Sequence, residues 1–276
     1  MTSSSEVSAG GPVTDRPRYT GAVTELSSET EALPVLTSGT ARMPSARLGV
    51  AVVHDLVTAV VTGEFAAGEL LPPEQPLTTH FGVSRTVIRE SVKRLEEKGL
   101  VRAVQGRGTV VQPHASWNIL DPVVLSVLLE NDDTLGVLDE LTIVRSALEG
   151  TMSAESARRR NDDDVARLEQ VFAHMRAVED DPAAFAQSDA DFHHVVMSIS
   201  GIGLAENITN ILYERARTSD RFVRNQTKEA FALTLEEHRR VLEAIRSGDP
   251  AAAESAMRAH IDDAWQRRRP ANSARG

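Results

Sequence analysis

The chain has 276 residues, no cysteine, and a formal net charge of −10. The missing cysteines exclude a disulfide framework, and nothing argues for export. The longest apolar runs are too short to span a bilayer, and no signal-peptide pattern is visible; together these point to a cytoplasmic protein without a membrane partner. The acidity is unevenly placed. Residues 46–116 carry eight basic and seven acidic side chains, whereas residues 117–276 carry 19 and 28. A nearly neutral N-terminal part with clustered cations is compatible with a nucleic-acid partner, and its binding is expected to be salt-sensitive and to lean on dimerisation.

Residues 1–45 are rich in Ser, Thr, Gly and Pro and poor in large apolar groups, so a disordered tail is expected there. Helical periodicity begins near Arg47, places Val50, Val53, Leu56, Val57 and Val60 inward, and ends at Gly63. A short helix ending near Phe81 leads into Gly82-Val83-Ser84. Glycine suits the left-handed backbone of a tight interhelical turn. Ser84 can cap the next helix by accepting from a free N–H of its first turn. In that helix Val87, Ile88, Val92 and Leu95 share one face, while Arg85, Thr86, Arg89 and Lys93 point elsewhere. An apolar inner stripe with an Arg/Thr/Lys outer stripe suits a major-groove reader. Then come Gly99–Val104, a turn over Gln105–Gly108 with Gly106 and Arg107 at its tip, and Thr109–Val111. That pattern reads as a β-hairpin wing with a cation placed for a phosphate or a minor groove. Residues 46–112 are therefore expected to form a winged helix-turn-helix.

Residues 113–120 read as a linker. From Asp121 to residue 268 the chain shows helical periods and almost no strand signal. Asp121-Pro122, Asp181-Pro182 and Asp249-Pro250 each place a capping carboxylate before a proline at the first helical position. Asp133-Thr134 and Asn161-Asp162 are read as further helix starts. In the long helix after Thr134, Leu138, Leu141, Val144, Leu148 and Met152 are expected inward. The fold class is mainly α: the winged helix, then an antiparallel bundle of six or seven helices, then a disordered tail over 269–276.

The bundle carries a second constellation. Asp189 and His193 are four residues apart and project from one helix face. His238 and His260 each have apolar residues one turn away, which puts them at or near the inner face. Neutral imidazoles plus one carboxylate suit a divalent ion such as Zn²⁺, Ni²⁺ or Mn²⁺. Four protein donors would leave an octahedral ion open positions for an oxygen ligand. His194 is expected to face away, and His54, His80, His114 and His174 have no obvious partners in the sequence. One alternative is an enzyme, since a carboxylate with histidines can hold a catalytic metal; no general base beside the set and no nucleophile motif supports it. Another is a regulator whose metal is purely structural, or is itself the signal.

These residues also carry a family resemblance. Leu70-Leu71-Pro72-Pro73-Glu74, Gly82-Val83-Ser84-Arg85-Thr86, Ile88-Arg89-Glu90, Gly99-Leu100 and Gly106-Arg107-Gly108-Thr109 resemble the GntR family of bacterial transcription regulators. The resemblance implies a homodimer on double-stranded DNA with a short inverted repeat. It also implies contacts from Arg85, Thr86 and Arg89 to bases or phosphates, and from Gly106 in the minor groove. Many relatives carry Arg after Pro-x-Glu, where this chain has Gln75. Residues 121–268 resemble the C-terminal ligand-binding domain of the FadR subfamily. The matching motifs are Val144-Arg145-Ser146-Ala147-Leu148-Glu149, Asp189-Ala190-Asp191-Phe192-His193, Glu237-His238-Arg239-Arg240-Val241 and Met257-Arg258-Ala259-His260. That likeness implies a metal held by Asp189, His193, His238 and His260, and a small carboxylate effector beside Arg145. The competing reading for Arg145 is an ion pair with Glu149 one turn on. Trp117-Asn118-Ile119-Leu120-Asp121-Pro122 resembles the sugar-acid branch. The loop Ser200-Gly201-Ile202-Gly203-Leu204 lacks an Asn that relatives often carry there.

Overall fold

A computed structural model describes residues 45–133, 135–219 and 227–269. The expected tails fall outside these residues except at their inner ends, where Ser45 begins a helix and Arg269 pairs with Asp139 at 3.0 Å. Among the described residues the chain is mainly helical, with ten α-helices and one two-stranded sheet.

The N-terminal part comprises α1 (Ser45–Val61), α2 (Glu74–Phe81), α3 (Arg85–Glu97), β1 (Val101–Val104) and β2 (Gly108–Val111). Gly82 ends α2 in the left-handed region at φ 63°, and the Ser84 hydroxyl accepts from the Val87 N–H to start α3. These local choices make the helix-turn-helix. Ile88 and Leu95 are fully buried against Val53, Leu56, Val57 and Val60 of α1, with Val87 and Val92 partly buried beside them. Val50, expected inward, is 60% exposed; Val52 takes the inner position one turn before Leu56. The strands pair antiparallel, Val101 opposite Val111 and Val104 opposite Gly108. The Glu69–Leu71 segment lies along the free edge of β2, with Leu71 N–H donating to Thr109 and Val111 N–H to Glu69. It covers the exposed edge of the wing, which the sequence pattern did not suggest.

Residues 113–120 pack rather than dangle. They include a short 3₁₀ turn, His114–Ser116, and the Trp117 indole N–H donates to the Gln112 carbonyl. Gly99, at φ 73°, lies so close to Ser116 that any Cβ would strike its carbonyl oxygen. The turn after α3 therefore requires glycine both for conformation and for space.

The C-terminal part holds seven helices: α4 (Pro122–Glu130), α5 (Gly136–Arg159), α6 (Asp162–Ala177), α7 (Pro182–Ser200), α8 (Gly203–Arg217), α9 (Lys228–Ser247) and α10 (Pro250–Arg268). Asp121, Asp181 and Asp249 each accept from two backbone N–H groups of the following turn, with proline in the first turn. Asn161 forms a capping box with Asp164. The start of α5 differs from expectation. Asp132, not Asp133, accepts from the N–H groups of Gly136 and Val137, and Thr134 lies outside the described residues. Leu135 adopts φ 62° while remaining buried. A left-handed leucine costs about 1–2 kcal/mol, and burial of its side chain can offset that.

Helix α4 contributes to two cores. Val124 and Val127 join the winged-helix core, while Leu125 and Leu129 pack with Leu138, Leu141, Leu212, Tyr213 and Trp265. The bundle's main core gathers Phe192, Met175, Ile245, Met257 and Val241 from α6, α7, α9 and α10. Helix α5 departs from a simple apolar stripe. Val144 is 41% exposed, and its neighbours Arg145 and Glu149 are buried instead. Arg145 and Glu149 pair with each other along the helix, and His193 and Tyr213 reach them from other helices.

Candidate metal centre and nucleic-acid interface

Three helices converge on one buried point. Asp189 and His193 come from α7, His238 from α9 and His260 from α10, and all four are buried with one donor atom each within 4.8 Å of the others. His193 Nε2 lies 3.1 Å from His260 Nε2 and 3.3 Å from His238 Nε2. Asp189 Oδ1 lies 3.6 Å from His238 Nε2. Two nitrogens bound to one ion at about 2.1 Å stand ~3.0 Å apart at a right angle and ~3.4 Å apart in a tetrahedron. The spacing fits a single divalent ion.

The outer nitrogens explain why the inner ones are available. His193 Nδ1 lies 2.6 Å from Glu149 Oε2, and His260 Nδ1 lies 2.9 Å from Glu237 Oε2. A carboxylate is acceptor-only, so each Nδ1 carries the proton and each Nε2 presents a lone pair inward. Lone pairs facing at 3.1 Å repel unless a cation lies between them. Burial pushes the pKa of His238 and His260 down, which keeps them in the neutral form a metal requires. His238 Nδ1 faces the Met175 thioether at 3.3 Å. The donor set therefore fits a borderline ion, held by Asp189, His193, His238 and His260.

The carboxylates are themselves held. Glu149 Oε1 accepts from Arg145 Nε at 2.7 Å, and Glu237 accepts from Arg267 through both oxygens. Burial would raise the Glu149 carboxyl pKa, but Arg145 and His193 together hold it at about 2. Arg145 also lies over the Tyr213 ring, 4.1 Å from its centroid. The Tyr213 hydroxyl donates to Asp189 Oδ2 at 3.0 Å. Burial, then the Asp189 carboxylate, pushes the Tyr213 pKa up, so the phenol remains a donor. Thus the ion pair weighed for Arg145 in the sequence does form, and it places Arg145 beside the donor set rather than away from it.

A cavity of about 360 Å³ opens onto this cluster between α7 and α8, with Arg145, Glu149 and His193 among its lining residues. Gln187, Thr209, Asn210 and Tyr213 supply polar lining as well. None of Ser200–Leu204 lines it; that loop caps α7 through Gly201 at φ 65°. His194 is exposed and lies 3.4 Å from Glu206. His54 lies 3.7 Å from Glu130, and His114 packs on Trp117. The sequence did not single out Glu149, Glu237, Arg267 or Tyr213 for the centre. Glu149 was legible only as a possible partner of Arg145; the others act across helices, where spacing gives no signal.

The residues expected to face DNA lie together on α3 and the wing. Arg85, Thr86, Arg89 and Lys93 are exposed, as are Gly106 and Arg107 at the wing tip. Arg89 and Arg107 flank one hollow between α3 and the wing. Ser84 is exposed but spends its hydroxyl on the cap. Arg89 pairs with Glu74, and Arg85 donates to the Gln75 side chain at 2.8 Å. Gln75, the departure from the resembling family, therefore positions a recognition-helix arginine. Lys93 lies 4.0 Å from Glu97.

A winged helix-turn-helix joined to a helical bundle defines a DNA-binding transcription regulator. Residues 48–111 match the family described as bacterial regulatory proteins, gntR family, and residues 140–263 match the FCD domain. The galactonate operon transcriptional repressor of Escherichia coli (strain K12) is 30% identical, over 78% of this chain and 94% of that protein. The HTH-type transcriptional regulator Mce2R of Mycobacterium tuberculosis is 35% identical over 74% of this chain and 85% of its own length. LutR of Bacillus subtilis, another HTH-type regulator, is 29% identical over 73% and 92%. A solved structure titled for Lar and the Listeria monocytogenes agr system has the same fold, with TM-score 0.52, 16% identity, and coverage of 83% of this chain and 98% of that one. The chain belongs to the GntR family of bacterial transcription regulators and carries an FCD domain. Its relatives and domains are regulators, not enzymes. Among the described residues no helix is long and apolar enough to cross a membrane.

Proposed function

We propose that this regulator represses transcription as a homodimer on a short inverted repeat, and that a small hydroxy acid bound at a divalent metal releases it. The observation that carries this reading is the polar cavity opening on both His193 and Arg145. When bound, the ion supplies Lewis-acid positions for a carboxylate and a neighbouring hydroxyl. Charge supports an anionic occupant. Glu149 neutralises Arg145 and Glu237 neutralises Arg267, while the Arg268 guanidinium acts on the Asp189 carboxylate. A divalent ion there leaves the site net positive. Arg145 engages Glu149 through Nε, so its Nη groups serve the ligand carboxylate. The polar lining suits a sugar acid better than an acyl chain, and galactonate in a relative's name makes D-galactonate the first probe. Zn²⁺, Ni²⁺ and Mn²⁺ all suit these donors.

Exposed apolar side chains on the adjoining helices α5 and α8, Ile143 and Val144 with Leu204 and Ile211, support a protein–protein face for the dimer. Recognition by two α3 helices then depends on their separation. The acid lowers operator affinity to the extent that it binds the DNA-free form better, and DNA lowers acid affinity equally.

The test is operator binding by fluorescence anisotropy with the metal-loaded protein and a panel of sugar and hydroxy acids. Release by an acid, lost in Asp189→Ala, supports the reading. Release by chelator alone, indifferent to every acid, replaces it with a structural or sensed metal.

A further inference from the structure

The two oxygens of Asp189 face different partners. Oδ1 lies 3.6 Å from Nε2 of His238, the same nitrogen that lies 3.3 Å from His193 Nε2. Oδ2 accepts from the Tyr213 hydroxyl of α8 at 3.0 Å. Both side chains are buried. The Tyr213 ring has a second neighbour, since the Arg145 guanidinium lies 4.1 Å from its centroid. Tyr213 also lines the cavity together with Arg145 and His193. One side chain of α8 thus touches the carboxylate of the donor set and the arginine beside it.

A carboxylate can hold a cation through one oxygen or through both. A hydrogen bond to one oxygen orients the group and favours the one-oxygen mode. The difference decides what can bind next. Three histidine nitrogens and one Asp189 oxygen fill four of the six positions of an octahedral ion, which leaves two. A carboxylate and its neighbouring hydroxyl need both. With two Asp189 oxygens bound, a single position would remain and the hydroxyl would go without one.

We infer that Tyr213 is a positioning residue whose hydroxyl holds Asp189 to one-oxygen binding and so keeps two positions open for a chelating hydroxy acid. The inference rests on the effector reading above and deepens it. Preference for a hydroxyl next to the carboxylate is set from α8, by a residue that acts through Asp189 and need not touch the acid. Phenylalanine at this position keeps the ring under Arg145 and the packing with Leu125 and Leu129, and removes the hydroxyl alone.

The experiment uses the full chain loaded with Mn²⁺ and two probes, D-galactonate and 2-deoxy-D-galactonate, which lacks the hydroxyl next to the carboxylate. Isothermal titration calorimetry gives both acid affinities for the wild type and Tyr213→Phe, and chelator competition gives the Mn²⁺ affinity. Infrared difference spectra, metal-loaded minus metal-free, read the splitting of the carboxylate stretches, which is wide for one-oxygen binding and narrow for two. The wild type should show the wide splitting and prefer galactonate. In Tyr213→Phe the splitting should narrow and the Mn²⁺ affinity should not fall, while the preference for galactonate drops roughly tenfold, within the range that an outer partner of a metal ligand controls. A merely structural role would instead lower the Mn²⁺ affinity and both acid affinities alike, with the splitting unmoved. That result, or an unchanged preference in Tyr213→Phe, overturns the inference and leaves the effector site standing. The wild type alone can also overturn it, by a narrow splitting or by equal affinity for the two acids. A wild type that takes up Mn²⁺ but binds neither acid overturns the effector reading and this inference with it, and that failure shows before any variant is made.

Discussion

Glu149 Oε2 lies 2.6 Å from Nδ1 of His193, and both side chains are buried. The same carboxylate holds Arg145, so one side chain joins the candidate metal centre to the residue proposed for the effector. A carboxylate behind a ligating histidine fixes its tautomer and ring orientation. Glu149→Gln should lower metal affinity by about 10–100-fold, measured by competition with a chromophoric chelator. Wild-type affinity in that variant would show that Glu149 serves the fold alone.

Metal removal should destabilise the bundle. The donors come from three helices, so an ion that binds the folded chain and not the unfolded one stabilises by mass action. With free metal at about 100 times its dissociation constant, the gain is about 2.7 kcal/mol. Differential scanning calorimetry should show Tm falling on chelation in the wild type, and no response to metal in His238→Ala. An equal metal response in both proteins would place the ion elsewhere.

The arginines on α3 and the wing should separate by role. Arg89 projects from the recognition helix, and Arg107 from the wing tip. Arg89→Ala should cost about 1–3 kcal/mol of operator binding and relax discrimination between operator variants. Arg107→Ala should weaken all sequences alike and, if it meets a phosphate, reduce the salt slope by about one. Anisotropy titrations across a salt series read both effects. A sequence-independent loss in Arg89→Ala would reverse its assignment.

Asp121 has two separable jobs. It caps α4 through the N–H groups of Val123 and Val124, and it pairs with Lys98, the residue that ends the recognition helix. Asp121→Asn keeps a cap and loses the charge. Asp121→Ala loses both and should be less stable than Asp121→Asn by about 1 kcal/mol, the worth of an N-cap. Urea denaturation measures the difference, and equal stability of the two variants would mean that the cap contributes nothing here.

Much of this protein was legible in its sequence where the information is local. Gly82 and Ser84 announce the turn and cap of the helix-turn-helix, the Asp-Pro pairs announce the bundle helices, and Asp189 with His193 shares one face by helical geometry alone. Periodicity misled where burial is decided by neighbours. Val50 and Val144 carry the apolar character of core residues yet face outward, while Arg145 and Glu149 are charged and buried. The reason is that a charge can be buried only when partners complete its hydrogen bonds; Arg145 and Glu149 pair along one helix, but His193 and Tyr213 are brought to them from others by packing. Convergence of His193, His238 and His260 to nitrogen separations near 3 Å, with Glu149 and Glu237 behind them, joins residues 44 to 67 positions apart, or 23 for the last pair. The sequence by itself determined the helices, most of their caps and the four side chains that form the buried cluster. Tertiary structure alone decided which nitrogens face inward, which carboxylates orient them, and that a cavity opens beside them, because each depends on distances between helices rather than on spacing within one.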